Sequence, residues 1–467
     1  MPAHFRSPDL LLGHRGWWPL ALPCRVASPA RSGHMYVVGK TGKGKSKFLL
    51  SCIVQDIQAG RGCGVIDPHS DLISEVLGVL DGQGALADPN IRERLLYLDP
   101  TRSDYVIPFN VLGLSAPPYE MAQNVIEAFR RTWAESLAAA PNFENNMLYA
   151  LLVLIKAKRT LVELPRLWLD DGFREQLLTQ VNDPELTSFF TERFARWGRD
   201  AALRIESLLN KATALTMNPY LKLMLGQQNN HLDFRYLMDN GYVLLANLGH
   251  CDEESQKLIG NLITTGFEQA AFARHDVVPH KRRPFYLYID EFQDFSAGSG
   301  SGKTFSRILS GARKMGLHLI IAHQNLSQLS ERLKGAVIGN VWTKVIFGVS
   351  EDDAYEFARL VGLGEVNPHT VKHDPQTETQ HPVYLSLPEQ YYDLATTLAN
   401  QAPRRAVVRD HMGQTFGIWT PKVPPTHGYP EAICQERLQV VGIPYATALA
   451  HVTPAPTPLP PADDFYE

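Results

Sequence analysis

The chain has 467 residues, of which 44% are hydrophobic and 20% charged, and a formal net charge of −4; this length can bury a large core and suggests roughly two to three domains. Its five cysteines form no C-x-x-C pair, which argues against a disulfide framework or a zinc site and fits a reducing cytoplasm. The longest apolar run, residues 147–155, is far shorter than the ~20 residues of a membrane-spanning helix, so we expect a cytoplasmic chain without direct membrane insertion.

The segment from His34 to Leu50 reads HMYVVGKTGKGKSKFLL, which predicts a strand, a glycine-rich loop and an amphipathic helix. Glycines allow such a loop to turn its backbone N–H groups towards a triphosphate, and the helix N-terminus adds a positive dipole end. Lys45 would reach the β- and γ-phosphates, and the Ser46 hydroxyl would take one position on Mg²⁺. The predicted nucleotide-binding residues of this loop are Gly39, Lys40, Thr41, Gly42, Lys43, Gly44, Lys45 and Ser46.

Short strands separated by helical runs flank a long helical region, which predicts an α/β fold with a parallel sheet covered by helices and an inserted all-α domain. The inserted region is recognised by apolar residues at helical spacing, and Asp183 followed by Pro184 predicts a helix start inside it. The predicted organisation is an N-terminal arm at 1–31, an α/β core at 32–116 and 230–423, the all-α insertion at 117–229, and a C-terminal segment at 424–467. Its end, from Pro454, is predicted to be disordered because it is rich in proline.

Two carboxylates, Asp290 and Glu291, follow the apolar strand YLYI. Asp290 can hold Mg²⁺ through its water shell, and Glu291 can polarise a water molecule for in-line attack on the γ-phosphate. Gln324 ends the next strand and can sense the γ-phosphate or orient that water. An acidic strand end and a solvated glutamine are the alternatives, and the preceding phosphate loop favours the functional interpretation.

Arg313 lies in the turn before the strand that ends at Gln324. An arginine there could bring positive charge to the γ-phosphate of a neighbouring subunit, where phosphoryl transfer gains most from it. An ordinary surface arginine is the alternative.

Three other features are open to a structural explanation. Asp67 could help to order a magnesium shell, but Asp67 as N-cap, Pro68 at the first helical position and Asp71 in the first turn describe a helix start completely, which favours a structural role. His69 and His323 have no partners at ligand spacing, so no structural metal is expected. The segment AGSGSGKT, Ala297 to Thr304, also matches a loose phosphate-loop pattern, but no apolar strand precedes it. We interpret Gly298 to Gly302 as a flexible loop that could place Lys303 and Arg307 near a phosphate backbone.

Together, several motifs resemble those of the FtsK/HerA-type DNA-pumping ATPases, and most closely those of the TraG/TraD-like coupling proteins of type IV secretion and conjugation. The motifs are HMYVVGKTGKGKS, VIDPHSDL, YLYIDEFQDF, GARKMGLHLIIAHQNLSQL and GNVWTKVIFGV. The resemblance covers about residues 34–350. It implies a RecA-like P-loop NTPase core in which the sensor strand lies between the phosphate-loop strand and the Asp-Glu strand.

The resemblance also implies a homo-oligomer, a hexameric ring that threads DNA and binds ATP and Mg²⁺ between subunits. Ser46 and Asp290 would then contact the Mg²⁺ ion that is bound together with the nucleotide. The catalytic residues would be Glu291, Gln324 and, as an arginine finger, Arg313. The chain departs from the usual motifs of these families at two positions: it has Lys43 where a small residue is usual and Ser70 where glycine is usual. Neither should abolish ATP binding. Coupling proteins commonly carry transmembrane helices, and HerA-like proteins a β-barrel, that we do not expect here.

The leading hypothesis is a cytoplasmic ATPase motor that moves DNA in conjugative transfer or type IV secretion. A relaxase or other type IV secretion components are candidate partners, which could recruit it to the inner membrane face. One alternative is a type IV secretion ATPase that powers protein export or assembly. Another is a nucleotide-gated docking protein for a relaxase. Glu291 favours hydrolysis over gating. The sequence leaves open whether the DNA is single- or double-stranded, the direction of movement and the cargo.

Overall fold

The computed structural model describes residues 9–16, 21–114, 116–138, 140–295, 301–362, 371–372, 383–424, 426 and 429–452. The chain divides into two compact units. One comprises Met1–Tyr97, Glu127–Ala134 and Phe234–Glu431, and the other comprises Leu98–Ile126, Glu135–Asp233 and Ala432–Glu467. The tail predicted from Pro454 and residues 298–300 of the predicted flexible loop lie outside the described residues. Ser301 and Gly302 instead begin the helix Ser301–Gly311, so the loop prediction is wrong at these positions. The apolar residues Phe305, Ile308 and Leu309 of that helix are buried at helical spacing.

The strands of the described residues are β1 (Leu10–Arg15), β2 (Leu22–Val26), β3 (Met35–Val38), β4 (Gly62–Asp67), β5 (Leu95–Leu98), β6 (Tyr105–Val106), β7 (Val243–Asn247), β8 (Phe285–Ile289), β9 (Leu317–His323), β10 (Thr343–Ile346), β11 (Val371–Lys372), β12 (Val383–Tyr384), β13 (Arg405–Arg409), β14 (Thr415–Trp419) and β15 (Ile443–Pro444).

The helices of the described residues are α1 (Ser28–Arg31), α2 (Lys45–Gln58), α3 (Asp71–Gly82), α4 (Pro89–Arg92), α5 (Pro118–Thr132), α6 (Ala134–Ala138), α7 (Phe143–Lys156), α8 (Leu164–Leu169), α9 (Asp171–Val181), α10 (Pro184–Ser188), α11 (Ala201–Met217), α12 (Pro219–Leu225), α13 (Phe234–Asn240), α14 (Glu253–Phe272), α15 (Ser301–Gly311), α16 (Glu331–Asn340), α17 (Glu351–Gly362), α18 (Leu387–Ala399), α19 (Glu431–Val441) and α20 (Tyr445–Val452).

The first unit is organised around an eleven-stranded sheet in the order β2-β1-β14-β13-β10-β3-β9-β8-β4-β7-β5. Neighbours from β10 to β7 pair in parallel, whereas β13, β14, β1 and β2 pair antiparallel. Every residue of β3, β8 and β9 is buried, as expected for parallel strands covered on both faces. The α/β prediction is therefore confirmed, and β9 lies between β3 and β8 as the resemblance implied.

The second unit is mostly helical and also contains the small antiparallel pair β6 and β15. Asp183 accepts hydrogen bonds from the first backbone N–H groups of α10, with Pro184 at its start, which is the helix start predicted from the sequence. The unit also takes in α19 and α20: the Gln227 side chain donates to the carbonyl of Ala448 at 3.0 Å. No helix of the described residues is long and apolar enough to cross a membrane.

The N-terminal segment, predicted as an arm, contains two strands. β1 pairs with β14 and with β2, and it has a register shift between Leu11 and Gly13. That irregularity breaks the alternation of polar and apolar residues by which strands are recognised in a sequence. Leu10 and Leu12 have no exposed surface, so this segment belongs to the core of the unit.

We predict that Leu12→Ala lowers the free energy of unfolding by about 2–5 kcal/mol, because it leaves a cavity under β1. Leu22→Ala in β2 is the matched control: 69% of Leu22 is exposed, so its change should stay within about 0.5 kcal/mol. Chemical denaturation of both variants measures the difference. Equal, small effects would mean that β1 does not stay on the sheet in solution.

Candidate active site

The predicted strand, loop and helix are present where β3 leads through residues 39–44 into α2. Gly44 precedes the helix with φ +106°, a left-handed conformation that glycine adopts without steric cost. No side chain caps the N-terminus of α2. The start of this helix therefore offers backbone N–H groups and a positive dipole end to an anion.

Lys45, the first residue of α2, lies between two carboxylates of the strand end after β8. Its side chain is 6% exposed, and its Nζ is 3.0 Å from Oε1 of Glu291 and 3.9 Å from Oδ1 of Asp290. A buried ammonium group is tolerated only where opposite charges compensate for its lost hydration. The structure thus brings together three of the residues predicted from separate motifs.

Glu291 is the centre of a hydrogen-bond network. Its Oε1 also accepts from Nε2 of Gln324 at 3.2 Å, and its Oε2 accepts from Nε2 of Gln293 at 2.8 Å. Burial raises the pKa of Glu291, but the charge of Lys45 and these donors outweigh burial and leave the pKa below its ordinary value. The residue has φ +45°, a conformation that costs free energy for a non-glycine residue and that is typical of functional sites.

The pKa of Asp290 moves in the opposite direction. Burial, reinforced by the negative charge of Glu291, raises it to about 6, although Lys45 opposes the shift. Adjacent carboxyl groups with divergent pKa values indicate a division of roles within an acid–base site. Near neutral pH, the charge of Asp290 therefore depends on whether another charged group lies close to it.

The residues of the phosphate loop differ in their hydrogen bonds and in their exposure. The hydroxyl group of Thr41 donates to Oε1 of Gln324 at 3.3 Å, and the Nζ of Lys43 donates to the carbonyl of Gln401 at 2.8 Å. Lys40 and Ser46 are exposed. Ser46 lies in the first turn of α2, where its hydroxyl group is accessible to a bound metal–nucleotide complex. The hydrogen bond of Lys43, the residue that departs from the family pattern, thus anchors the loop to the segment at Gln401.

Asp67 has a structural role, but the predicted helix start is wrong: residues 68–70 form a bend, and α3 starts at Asp71 with Ser70 as its N-cap. The Asp67 carboxylate accepts the backbone N–H groups of His69 and Ile73, both at 2.9 Å. It therefore fixes the turn into α3. Its burial raises its pKa.

Arg313 does not join this cluster within its own chain. It lies in a 3₁₀ turn at Ala312–Met315, before β9, whereas Gln324 follows the other end of that strand. Seven residues of strand place the two ends ~23 Å apart. The guanidinium group of Arg313 lies 3.9 Å from the centre of the Trp342 ring, a cation–π contact. Arg307, considered as a phosphate-backbone contact, instead donates to the buried Glu268 at 2.7 Å.

Arg404 was not predicted, yet it touches the phosphate loop. Its backbone N–H donates to the carbonyl of Lys43 at 2.8 Å. It has φ +67°. No local pattern in the sequence connects two residues so far apart in the chain.

The chain is similar to known proteins in one family model and in several solved structures. Residues 284–389 match the family model for the TraM recognition site of TraD and TraG. The bacterial conjugative coupling protein TrwB, in an unbound form without its first 70 residues, superposes with a TM-score of 0.61 at 14% identity, over 86% of this chain and 88% of that one. TrwB in complex with ADP and Mg²⁺ superposes with a TM-score of 0.59 at 15% identity, over 86% of this chain and 89% of that one.

VirB4 of Thermoanaerobacter pseudethanolicus gives a TM-score of 0.57 at 15% identity, over 89% of this chain and 97% of that one. No curated protein sequence matches the chain. The predicted resemblance is confirmed in the fold and in one matching segment: the chain has the P-loop fold of the coupling protein TrwB and carries a segment like the TraM recognition site of TraD and TraG.

Proposed function

We propose that the protein is a coupling ATPase that hydrolyses ATP with Mg²⁺ at the interfaces of a homo-oligomeric, hexameric ring and moves DNA in conjugative transfer or type IV secretion. The contact that supports this function most directly is the buried Lys45 at 3.0 Å from Glu291, with Gln324 on the same carboxylate. This set of charges fits a metal–nucleotide complex: a cation for phosphates and carboxylates for a metal and a water molecule.

Each residue then has one role. Lys45 and the loop N–H groups would hold the phosphates, and Ser46 and Asp290 would hold Mg²⁺, which neutralises phosphate charge. Glu291, ionised at neutral pH, accepts a hydrogen bond from the attacking water molecule and polarises it. Gln324 shares that carboxylate and orients the same water molecule. Lys45 must exchange its carboxylate partners for phosphates when a nucleotide enters.

The comparisons support the partners that we propose. TrwB is described as a conjugative coupling protein, and the segment that matches the TraM recognition site contains the carboxylate pair. We infer contact with DNA and with a relaxase or another component of the secretion system. We infer that the protein acts in the cytoplasm, where ATP is available, and that these partners recruit it to the inner membrane face.

A second candidate function is the alternative left open by the sequence, an ATPase that powers protein export or assembly; the match to VirB4, over 97% of that chain, supports only a shared fold. The two functions differ in their response to DNA. We predict that single- or double-stranded DNA raises the ATPase rate severalfold, because a translocating motor couples hydrolysis to its track. Steady-state rates with each form of DNA and without it measure this, and an unchanged rate would favour protein export.

We predict that Lys45→Ala loses ATP binding and hydrolysis, whereas Glu291→Gln still binds ATP and hydrolyses it by about 10²-fold or more slowly. Lys47→Ala is the matched control, because Lys47 is an exposed lysine of the same helix that pairs with Glu75. A fluorescent ATP analogue and a phosphate-release assay measure the two steps. Equal ATP affinity in the wild type and in Lys45→Ala would contradict the assignment of the phosphate loop.

We predict that the contribution of Mg²⁺ to ATP affinity falls as the pH drops through about 6, because the raised pKa of Asp290 leaves its carboxyl group neutral below that pH. Titrations with Mg²⁺ and with a chelator, from pH 5 to 8, give this contribution. ATP itself titrates in this range, so Asp290→Asn serves as the control: it should bind weakly throughout and show only the pH dependence of the nucleotide. The same profile in both proteins would exclude Asp290 from the metal site.

We predict that Arg313→Ala binds ATP but hydrolyses it by roughly a thousandfold or more slowly, as expected for a lost arginine finger. Because Arg313 lies at the opposite edge of the sheet from its own Glu291, mixing Arg313→Ala with Glu291→Gln should restore part of the activity at mixed interfaces. Trp342→Phe, which keeps an aromatic ring under the guanidinium group, is the control. No recovery in mixed rings verified by native mass spectrometry would place Arg313 outside the reaction.

A further inference from the structure

A cavity of about 760 Å³ lies beside the phosphate loop, between the N-terminal strands and the end of β14. Its walls include His14, Pro23, Arg404, Trp419, Pro421 and Lys422. This volume is within the range of small-molecule sites, about 300–1,000 Å³. None of these residues has a role in the hydrolysis described above.

The cavity is joined to the phosphate loop through Arg404. The backbone N–H of Arg404 bonds to the carbonyl of Lys43 at 2.8 Å, and the Nζ of Lys43 bonds to the carbonyl of Gln401 at 2.8 Å. A Cβ atom on Gly44 would lie only 3.2 Å from the Arg404 nitrogen. Arg404 therefore contacts the loop with its backbone and lines the cavity as well.

The conformation of Arg404 is held against strain. Its φ of +67° is unfavourable for a residue with a side chain. Thr420 secures it: the Thr420 N–H donates to the Arg404 carbonyl at 2.9 Å, and Nη2 of Arg404 donates to the Thr420 carbonyl at 2.6 Å. The Nε of Arg404 is buried and has no partner among the described residues. Strain maintained in this way is typical of a functional position.

The sheet order gives the cavity its place along a bound nucleotide. The carboxylates and Gln324 follow β8 and β9 on one side of the phosphate-loop strand β3, whereas β13 and β14 lie on its other side. If the γ-phosphate lies at Lys45 and Glu291, a nucleoside that points away from the carboxylates lies on the side of β13 and β14. The cavity lies on that side.

We propose that this cavity binds the base and ribose of the nucleotide; this inference rests on the proposed ATPase function. The Trp419 ring and the Arg404 guanidinium group provide flat surfaces on which a planar heterocycle can stack. His14 is the register partner of Trp419 on the neighbouring strand β1. The N-terminal strands would thus complete the nucleotide site.

The test compares two ligands, MgATP and magnesium tripolyphosphate, which has no nucleoside. Trp419→Ala should weaken MgATP binding by about tenfold or more, as expected for the loss of a stacked base, and leave tripolyphosphate affinity unchanged. Trp419→Phe should stay close to the wild type. Lys45→Ala should weaken the binding of both MgATP and magnesium tripolyphosphate. Calorimetric titration, with melting temperatures to verify folding, gives these affinities.

Unmodified protein provides a second measurement that needs no variant. Photolysis with 8-azido-ATP should label peptides that contain His14 or Trp419, and excess ATP should prevent the labelling. Labels confined to other peptides, or equal MgATP affinity in Trp419→Ala and the wild type, would overturn the nucleoside site and leave the ATPase function intact. If wild-type protein binds neither ATP nor tripolyphosphate, both the proposed function and this site are wrong.

Discussion

The arrangement of the site depends on one buried cation, the ammonium group of Lys45. A buried charge is stable only with compensating charge close by, and the carboxylates that compensate come from a different strand, at 3.0 and 3.9 Å. β3 and β8 must therefore end at the same edge of the sheet, with β9 between them. Phosphate oxygens accept charge-assisted hydrogen bonds from an ammonium group as carboxylate oxygens do, so the same position of Lys45 suits a triphosphate.

The two carboxyl groups have different surroundings although they are adjacent in sequence. Glu291 accepts hydrogen bonds from Lys45 and from the side-chain amides of Gln293 and Gln324, and these contacts favour its ionised form. Asp290 is left with less compensation and a pKa of about 6. A dication near Asp290 would remove this difference, since positive charge favours the ionised carboxylate. Binding of a metal there and ionisation of Asp290 would therefore be coupled, whereas Lys45 and the amide donors already favour the ionised form of Glu291.

Much of the site could be predicted because its residues occur in local patterns. Lys45 follows a glycine-rich loop, and Asp290 and Glu291 end an apolar strand; each pattern is read within about ten residues. The strand order came from the resemblance to a family, since periodicity along the chain carries no information about lateral neighbours. β1 was missed because a register shift breaks its alternation. Arg404 was missed because its contact with Lys43 depends on tertiary structure alone.

The distance between Arg313 and Glu291 bears on assembly. An isologous dimer joins a patch to itself, whereas a heterologous contact joins two different patches and closes into a ring when the rotation permits. Arg313 and the carboxylate cluster lie at opposite ends of β9, so one subunit offers them in different directions. For an arginine to reach a γ-phosphate in this geometry, the contact must be heterologous. The cation–π contact with Trp342 already holds the guanidinium group of Arg313 in one place, which would limit the conformational entropy lost if such a ring closed.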